Sequence, residues 1–528
     1  MAKALHDARG KVPLGAVLAA ASFLIYAGTI FALPQVQNAR YCCEQSSFAA
    51  AVSNVIYRTR IGGFYADNLD FFLDRFTEPL NQVLPDARTP GVGLPAIPAS
   101  VWVPTTRDGN GIGYPLVATA AFRLFGLHAW ALPATMLLLM AVSAIVYLWR
   151  FSGAYAAVVV LYFGALTSML FTTLVWDPSY AVQIPVAGIR YFSLLSVLPV
   201  FHILLTLLDV QPERAGALWH NAALLAVQTL VLVLSILVRG SAISMVGAVL
   251  FVALLLAWRH RRDRGRIRAV IVHLLVMGMA SLVLMAAIIA TIPRQYLAQG
   301  RVGTVVWQRV TESIGANPAW PFPGANDLFD CKEHVPQGLE SGMSDSNGGC
   351  IWFDYVKRHG IPADTLYDKT FGSLYETALR EAFFKIAWRY PTEVLAAFVY
   401  YKPQRIVSSI VESLALNLAG DQAKALLPEG LRVEPYPPLA IGLWTAAIAV
   451  ALAFFAFARI APPELRMVAR LALLSALFTI PPYLAAWARP HTSADLLLYC
   501  LFGAGLALGA VLVGLQRTPV LSAGSRLR

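Results

Sequence analysis

Three carboxylates stand out in the run Tyr65-Ala-Asp-Asn-Leu-Asp-Phe-Phe-Leu-Asp, where Asp67, Asp70 and Asp74 recur at i, i+3 and i+7. On a helix that spacing sets them on one face and leaves Phe71, Phe72 and Phe76 available to touch lipid. Such a group suits proton removal from a sugar hydroxyl. It equally suits a divalent cation bound to a phosphate, and its plainest alternative is the solvated face of an amphipathic surface helix. Further on, Asp108 opens the stretch Asp108-Gly-Asn-Gly-Ile-Gly-Tyr-Pro. The glycines look like a phosphate-cradling loop only superficially, because no strand is expected before them and no GK[ST] follows. A turn entering a surface helix over Leu116 to Gly126 is the simpler reading, and Asp108 can reach a site from there.

A second set is cationic. Arg190, Arg239, Arg489 and His491, together with Asp177, fall at the ends of apolar runs. Ionisable groups at a bilayer boundary are costly and are candidates for function, although snorkelling to the headgroups also explains them. Arginine offers a two-pronged contact to phosphate, so several at one leaflet would clamp a lipid-linked phosphate. His202, His220 and His273 have no His or carboxylate partner at ligand spacing, which gives no metal site. Neither GxSxG nor HExxH occurs, leaving serine-hydrolase and zinc-protease chemistry without support.

The elements that must position these groups follow from composition. Of 528 residues, 58% are hydrophobic and 13% charged, against roughly 45–50% and about 25% in soluble domains. The mean hydropathy is +0.61. This excludes a soluble multidomain enzyme and predicts a mainly α, polytopic membrane bundle. The net charge of +11 does not point to nucleic acid, because 23 of the 30 acids lie in two segments, 37–127 and 293–435, while basic residues crowd the short connectors. Basic short loops mark the cytoplasmic side.

Ten spans are expected, near 12–33, 128–149, 153–176, 189–208, 219–238, 241–258, 269–292, 438–458, 467–487 and 494–515. Arg239-Gly-Ser splits one long apolar run into two of them. The connector holding Arg259, Arg261, Arg262, Arg264, Arg266 and Arg268 is the strongest cytoplasmic signal. With it inside, both termini are inside and both long polar segments outside. The organisation is then a transmembrane module over 1–292 with its first outer loop at 37–127, an α-rich extracytoplasmic domain over 293–435, and C-terminal helices over 436–528. In that domain, Phe371 to Ile386 has helical spacing, Tyr390-Pro391 should end the helix, and Thr392 to Leu418 suits an amphipathic helix at the bilayer surface. Cys331 and Cys350 bracket a Gly/Ser-rich loop, and an oxidising compartment would close them into a disulfide contributing about 3 kcal/mol. Cys42 and Cys43 are adjacent and have no assigned role.

The layout resembles the GT-C superfamily of membrane glycosyltransferases. The resemblance rests on the acid-bearing loop after the first span and on its ending in GYP-LVATAAFRLFG (Gly113 to Gly126). It rests also on Tyr375-Glu-Thr-Ala-Leu-Arg-Glu-Ala and Arg389-Tyr-Pro-Thr-Glu in the outer segment, and on Arg489 and His491 before the last helix. It implies a bacterial inner-membrane enzyme with its site facing the exterior, moving a sugar from a polyprenyl-phosphate donor to a glycan or lipid acceptor with inversion. One of Asp67, Asp70 or Asp108 would take the acceptor proton, and Arg489, His491, Arg190 and Arg239 would hold the donor phosphate. No cofactor is required beyond a possible divalent cation. Three other readings stay open, one of them a non-catalytic membrane scaffold whose outer domain binds a partner. A lipid-linked glycan flippase would want polar groups at mid-span and repeated halves, whereas the spans read as clean at their centres. A polysaccharide polymerase or ligase would share the chemistry.

Overall fold

A computed structural model describes residues 14–32, 45–56, 64–66, 102–104, 113–126, 130–176, 192–209, 215–291, 306–344, 346–361, 374–406, 463–485, 498–499, 502–503 and 505–506. The chain is mainly helical. In order come α1 (Leu14–Ala32), α2 (Gln45–Ile56), the strands β1 (Phe64–Ala66) and β2 (Trp102–Pro104), α3 (Gly113–Phe125), α4 (Ala131–Arg150) and α5 (Ala157–Trp176). Then follow α6 (Val197–Leu208), α7 (Ala215–Val238), α8 (Ser244–Arg259), α9 (Arg264–Ile289), α10 (Trp307–Glu312), α11 (Ser346–Arg358), α12 (Leu374–Arg389), α13 (Pro391–Ala396) and α14 (Pro463–Ala485).

Among the described residues, five helices are long and apolar enough to cross a membrane: Leu14–Ala32, Ala131–Arg150, Gly153–Leu170, His220–Val238 and Arg264–Ile289. Two shorter apolar helices, Phe192–Leu208 and Ser244–Arg259, accompany them. Their length and composition are compatible with a membrane protein. The apolar run broken by Arg239-Gly-Ser is two helices, since α7 ends at Val238, a 3-10 turn occupies Gly240–Ile243, and α8 starts at Ser244. The expected span at 438–458, and most of the one at 494–515, lie outside the described residues.

These helices share one hydrophobic cluster, which α14 and residues 498–506 join through Val468, Leu471, Leu498 and Phe502. Its packing is aromatic at several crossings: Phe23 on Phe163 at 5.1 Å, Phe201 on Phe502 at 5.3 Å and Phe251 on Phe478 at 5.8 Å. The mid-span regions are not clean. Gln228 is fully buried near the middle of α7, its Oε1 accepts from Ser143 Oγ of α4 at 2.7 Å, and its Nε2 donates to the Ser143 carbonyl at 2.8 Å. An amide and a hydroxyl satisfy one another across two helices, so burial is tolerated without a charge.

A second cluster is built from 307–398. Glu376 at the start of α12 accepts from the backbone N–H groups of Val306 and Trp307, both at 2.8 Å, capping α10 from seventy residues away in sequence. Thr311 donates to the Leu379 carbonyl and Tyr390 to the Pro323 carbonyl. Gly315 lies so close to Gly342 that an added Cβ would sit 2.0 Å from its carbonyl oxygen. A disulfide joins Cys331 and Cys350, pinning the intervening loop to α11. Helix α12 stops at Arg389 and Pro391 begins α13 at its first turn, where proline's missing N–H costs nothing.

Candidate functional site

The first loop is anchored by two helices. α3 is not the surface helix its sequence suggests: Tyr114, Val117, Ala118, Ala121 and Phe122 are buried, and it packs against α2, α4 and α7. The small residues Ala50, Ala51 and Val52 let α2 approach closely. Asn54 Nδ2 donates to Thr119 Oγ1 at 3.4 Å, and Arg123 donates to the Asn54 carbonyl at 3.2 Å. β1 packs on α2 and pairs with β2 antiparallel, Phe64 opposite Pro104 and Ala66 opposite Trp102. This two-stranded clasp closes the loop that carries the acidic run, whose opening residues Tyr65 and Ala66 are strand rather than helix.

The start of α3 meets the bundle at a tight junction. A Cβ added at Gly113 would lie 2.2 Å from the carbonyl carbon of Leu237 and 2.4 Å from the Val238 nitrogen, so only glycine allows this approach. Beside it, the Tyr114 ring packs on Phe192 edge-on at 5.9 Å. Ser235 of α7 donates to the Phe192 carbonyl at 2.9 Å, sewing the 3-10 turn Phe192–Ser196 to the same place. Three segments therefore converge: the entry to α3, the entry to α6 and the end of α7.

Of the residues singled out by sequence, Arg239 is placed here. It follows Val238 directly, is half-buried, donates its N–H to the Ser235 carbonyl at 2.8 Å and accepts from Ala242 at 3.0 Å. Asp67, Asp70, Asp108, Arg190, Arg489 and His491 lie outside the described residues. Their chain neighbours are nevertheless informative. Asp108 precedes Gly113 by five residues, Arg190 precedes Phe192 by two, and Asp67 is the residue after β1. The junction thus gathers the flanks of one predicted acid and two predicted cations.

The 306–406 segment holds a charged cluster that the sequence did not reveal. Lys402 is fully buried, donates to Ser313 Oγ and lies 5.8 Å from the Phe398 ring. Next to Ser313, the buried Glu312 carboxylate accepts from Gln308 at 2.6 Å and from Arg309 at 3.2 Å. Burial pulls the Lys402 ammonium down to about 6, against a smaller opposing pull from Glu312. The cause of its inward position is a π-helical turn at Ala397–Tyr401. One extra residue in that turn rotates the register, so Lys402 rather than Tyr401 faces the core. No periodicity signals such an insertion. Because Lys402 and Ser313 are both covered, this pair holds the fold and does not meet an outside molecule. At the end of the same helix, Arg405 Nε and Gln404 Oε1 are buried without a hydrogen-bond partner among the described residues, and burial lowers the Arg405 pKa.

Among the described residues, no group of three or more His, Cys, Asp or Glu is gathered as metal ligands. No family model, curated protein or solved structure matches this chain.

Proposed function

We propose that the chain is a ten-span membrane glycosyltransferase that moves a sugar from a polyprenyl-phosphate donor to a glycan or lipid acceptor at the outer face of the bilayer. The observation that supports this is the junction of Gly113, Phe192 and Val238. A transfer of this kind needs a carboxylate base and a cationic clamp within one site. The chain reaches that junction from Asp108 on one side, from Arg190 on a second, and into Arg239 on a third. The β1–β2 clasp adds the Asp67 and Asp70 run through α2.

In this mechanism a carboxylate among Asp67, Asp70 and Asp108 takes the acceptor hydroxyl proton as its oxygen attacks the anomeric carbon. The bond from that carbon to the phosphate oxygen breaks, and the electron pair leaves with the phosphate. Arg190, Arg239, Arg489 and His491 stabilise the added negative charge, the step at which preorganised donors lower the barrier most.

The test is transfer from a radiolabelled polyprenyl-phosphate sugar in proteoliposomes of the purified chain. Asp67→Asn, Asp70→Asn and Asp108→Asn are compared singly, and the base among them should lose about 10²- to 10⁴-fold in rate. Arg239→Ala should raise the donor KM with a smaller effect on kcat. Parental rates in all three Asn variants would overturn the assignment.

A further inference from the structure

The side of α12 that faces away from its own core carries a narrow, strongly exposed apolar stripe set among charged residues. Phe384 is 58% exposed and Trp388 90%, and four residues apart on the following helix Leu395 and Val399 are 62% and 66% exposed. At about 100° per residue, Phe384 and Trp388 fall about 40° apart on α12, with Arg380 about 40° beyond Phe384 and Glu381, Lys385 and Arg389 about 20°, 60° and 100° beyond Trp388. All three cations are exposed. The Lys385 ammonium also donates to the Leu328 carbonyl and lies 5.0 Å from the Phe329 ring, which fixes that edge of the stripe to its own fold. Glu381 is the one acid on this face.

We propose that this face is a lipid-docking surface, with Phe384, Trp388, Leu395 and Val399 seated in the headgroup layer of an anionic bilayer and Arg380 and Arg389 against its phosphates. Three observations choose a bilayer over a protein partner. Aromatic and aliphatic side chains bordered by arginine and lysine are the composition that favours the membrane–water interface. The cations outnumber the acid, which complements anionic lipid. Finally, the segment is tied at both ends to apolar helices, α9 before it and α14 after it. That tether holds the face at high local concentration near the membrane, so a modest surface suffices. The inference does not depend on the transferase reading.

The experiment uses the full chain in proteoliposomes, with Cys42, Cys43 and Cys500 changed to Ser and the Cys331–Cys350 disulfide kept. An environment-sensitive fluorophore is attached through Trp388→Cys, through Val399→Cys in a second variant, and through Gln337→Cys as an exposed reference. Lipids bearing nitroxide high on the acyl chain should quench positions 388 and 399 about threefold more than 337, more strongly in phosphatidylglycerol than in phosphatidylcholine vesicles. Arg380→Gln with Arg389→Gln should remove the lipid preference. Equal quenching at all three positions would overturn the proposal. So would crosslinking of 388 to 388 between copies in place of lipid quenching, since the occupant would then be a second chain.

Discussion

The bundle and the 306–406 segment solve the burial of polar groups in opposite ways. In the bundle the buried polar side chains are neutral at mid-helix, as in the Ser143–Gln228 pair, and an ion pair such as Arg150–Asp209 at 2.9 Å stays at helix ends. Its outward surface is Leu254, Trp258 and Leu282, each at least 66% exposed. In the 306–406 segment the core itself contains Glu312, Asp354 and Lys402, the buried lysine and carboxylates among the described residues. Asp354 accepts from Arg358 at 2.9 Å and from the Asp330 N–H at 3.0 Å. A disulfide staples this second unit. The difference teaches what each kind of core tolerates. Helices in hydrocarbon gain little from burying one apolar group against another and cannot carry unpaired charge. The small 306–406 segment holds its buried carboxylates because Arg309 and Arg358 pair with them at 3.2 Å and 2.9 Å, but its core is short of area and benefits from a crosslink.

If the two regions are energetically distinct, they should break separately. Replacing Cys331 and Cys350 by Ser should lower the stability of the 306–406 segment by about 3 kcal/mol. Protease sensitivity in 306–406 should rise while the bundle's resistance to sodium dodecyl sulfate is unchanged. A parallel loss in both would merge the regions into one cooperative unit.

A smaller effect comes from Lys402, whose amine titrates near 6 in the folded chain and at its ordinary 10.5 when exposed. Between those values the unfolded chain carries the extra proton, so stability of the 306–406 segment should rise with pH. The slope should reach about 1.4 kcal/mol per unit above pH 6 and flatten below it. Lys402→Met should abolish the slope, as read from denaturation midpoints at pH 6, 7 and 8. A slope that survives the substitution would assign it to another group.

The least costly change should be Gln228→Leu in the bundle. An interhelical hydrogen bond in a membrane averages about 0.6 kcal/mol, and the leucine regains apolar contact. Detergent-induced unfolding should shift by that amount or less. A loss of several kcal/mol would mean that mid-span polarity is used for more than packing.

Much of this architecture was legible in the sequence. Apolar runs bounded by arginines mark α4, α5, α7 and α9 closely, and Arg239-Gly-Ser marks the break between α7 and α8. Tyr390-Pro391 likewise marks the boundary of α12. What escaped has physical causes. α2 is made of Gln45-Ser-Ser-Phe-Ala-Ala-Ala-Val-Ser-Asn, whose small residues give no strong stripe although close packing is what they are for. α3 reads as a surface helix from its place after the glycine turn, and only its contact partners show that it is buried. Lys402 turns inward through a π turn that leaves no trace in periodicity. For the site, the sequence supplied residue types, and the structure supplies the meeting of their flanks at Gly113, Phe192 and Val238.

That meeting also sets an order of manufacture. Gly113 docks against Leu237 and Val238, which the ribosome makes more than a hundred residues later. At roughly 5–20 residues per second the entry to α3 waits about 6–25 seconds for its partner. During that interval α3 has no α7 to pack on and must be sheltered by α2, by α4 or by a chaperone. The first loop is therefore finished by a helix still to come, and α3 cannot reach its final seat on a nascent chain that stops short of α7.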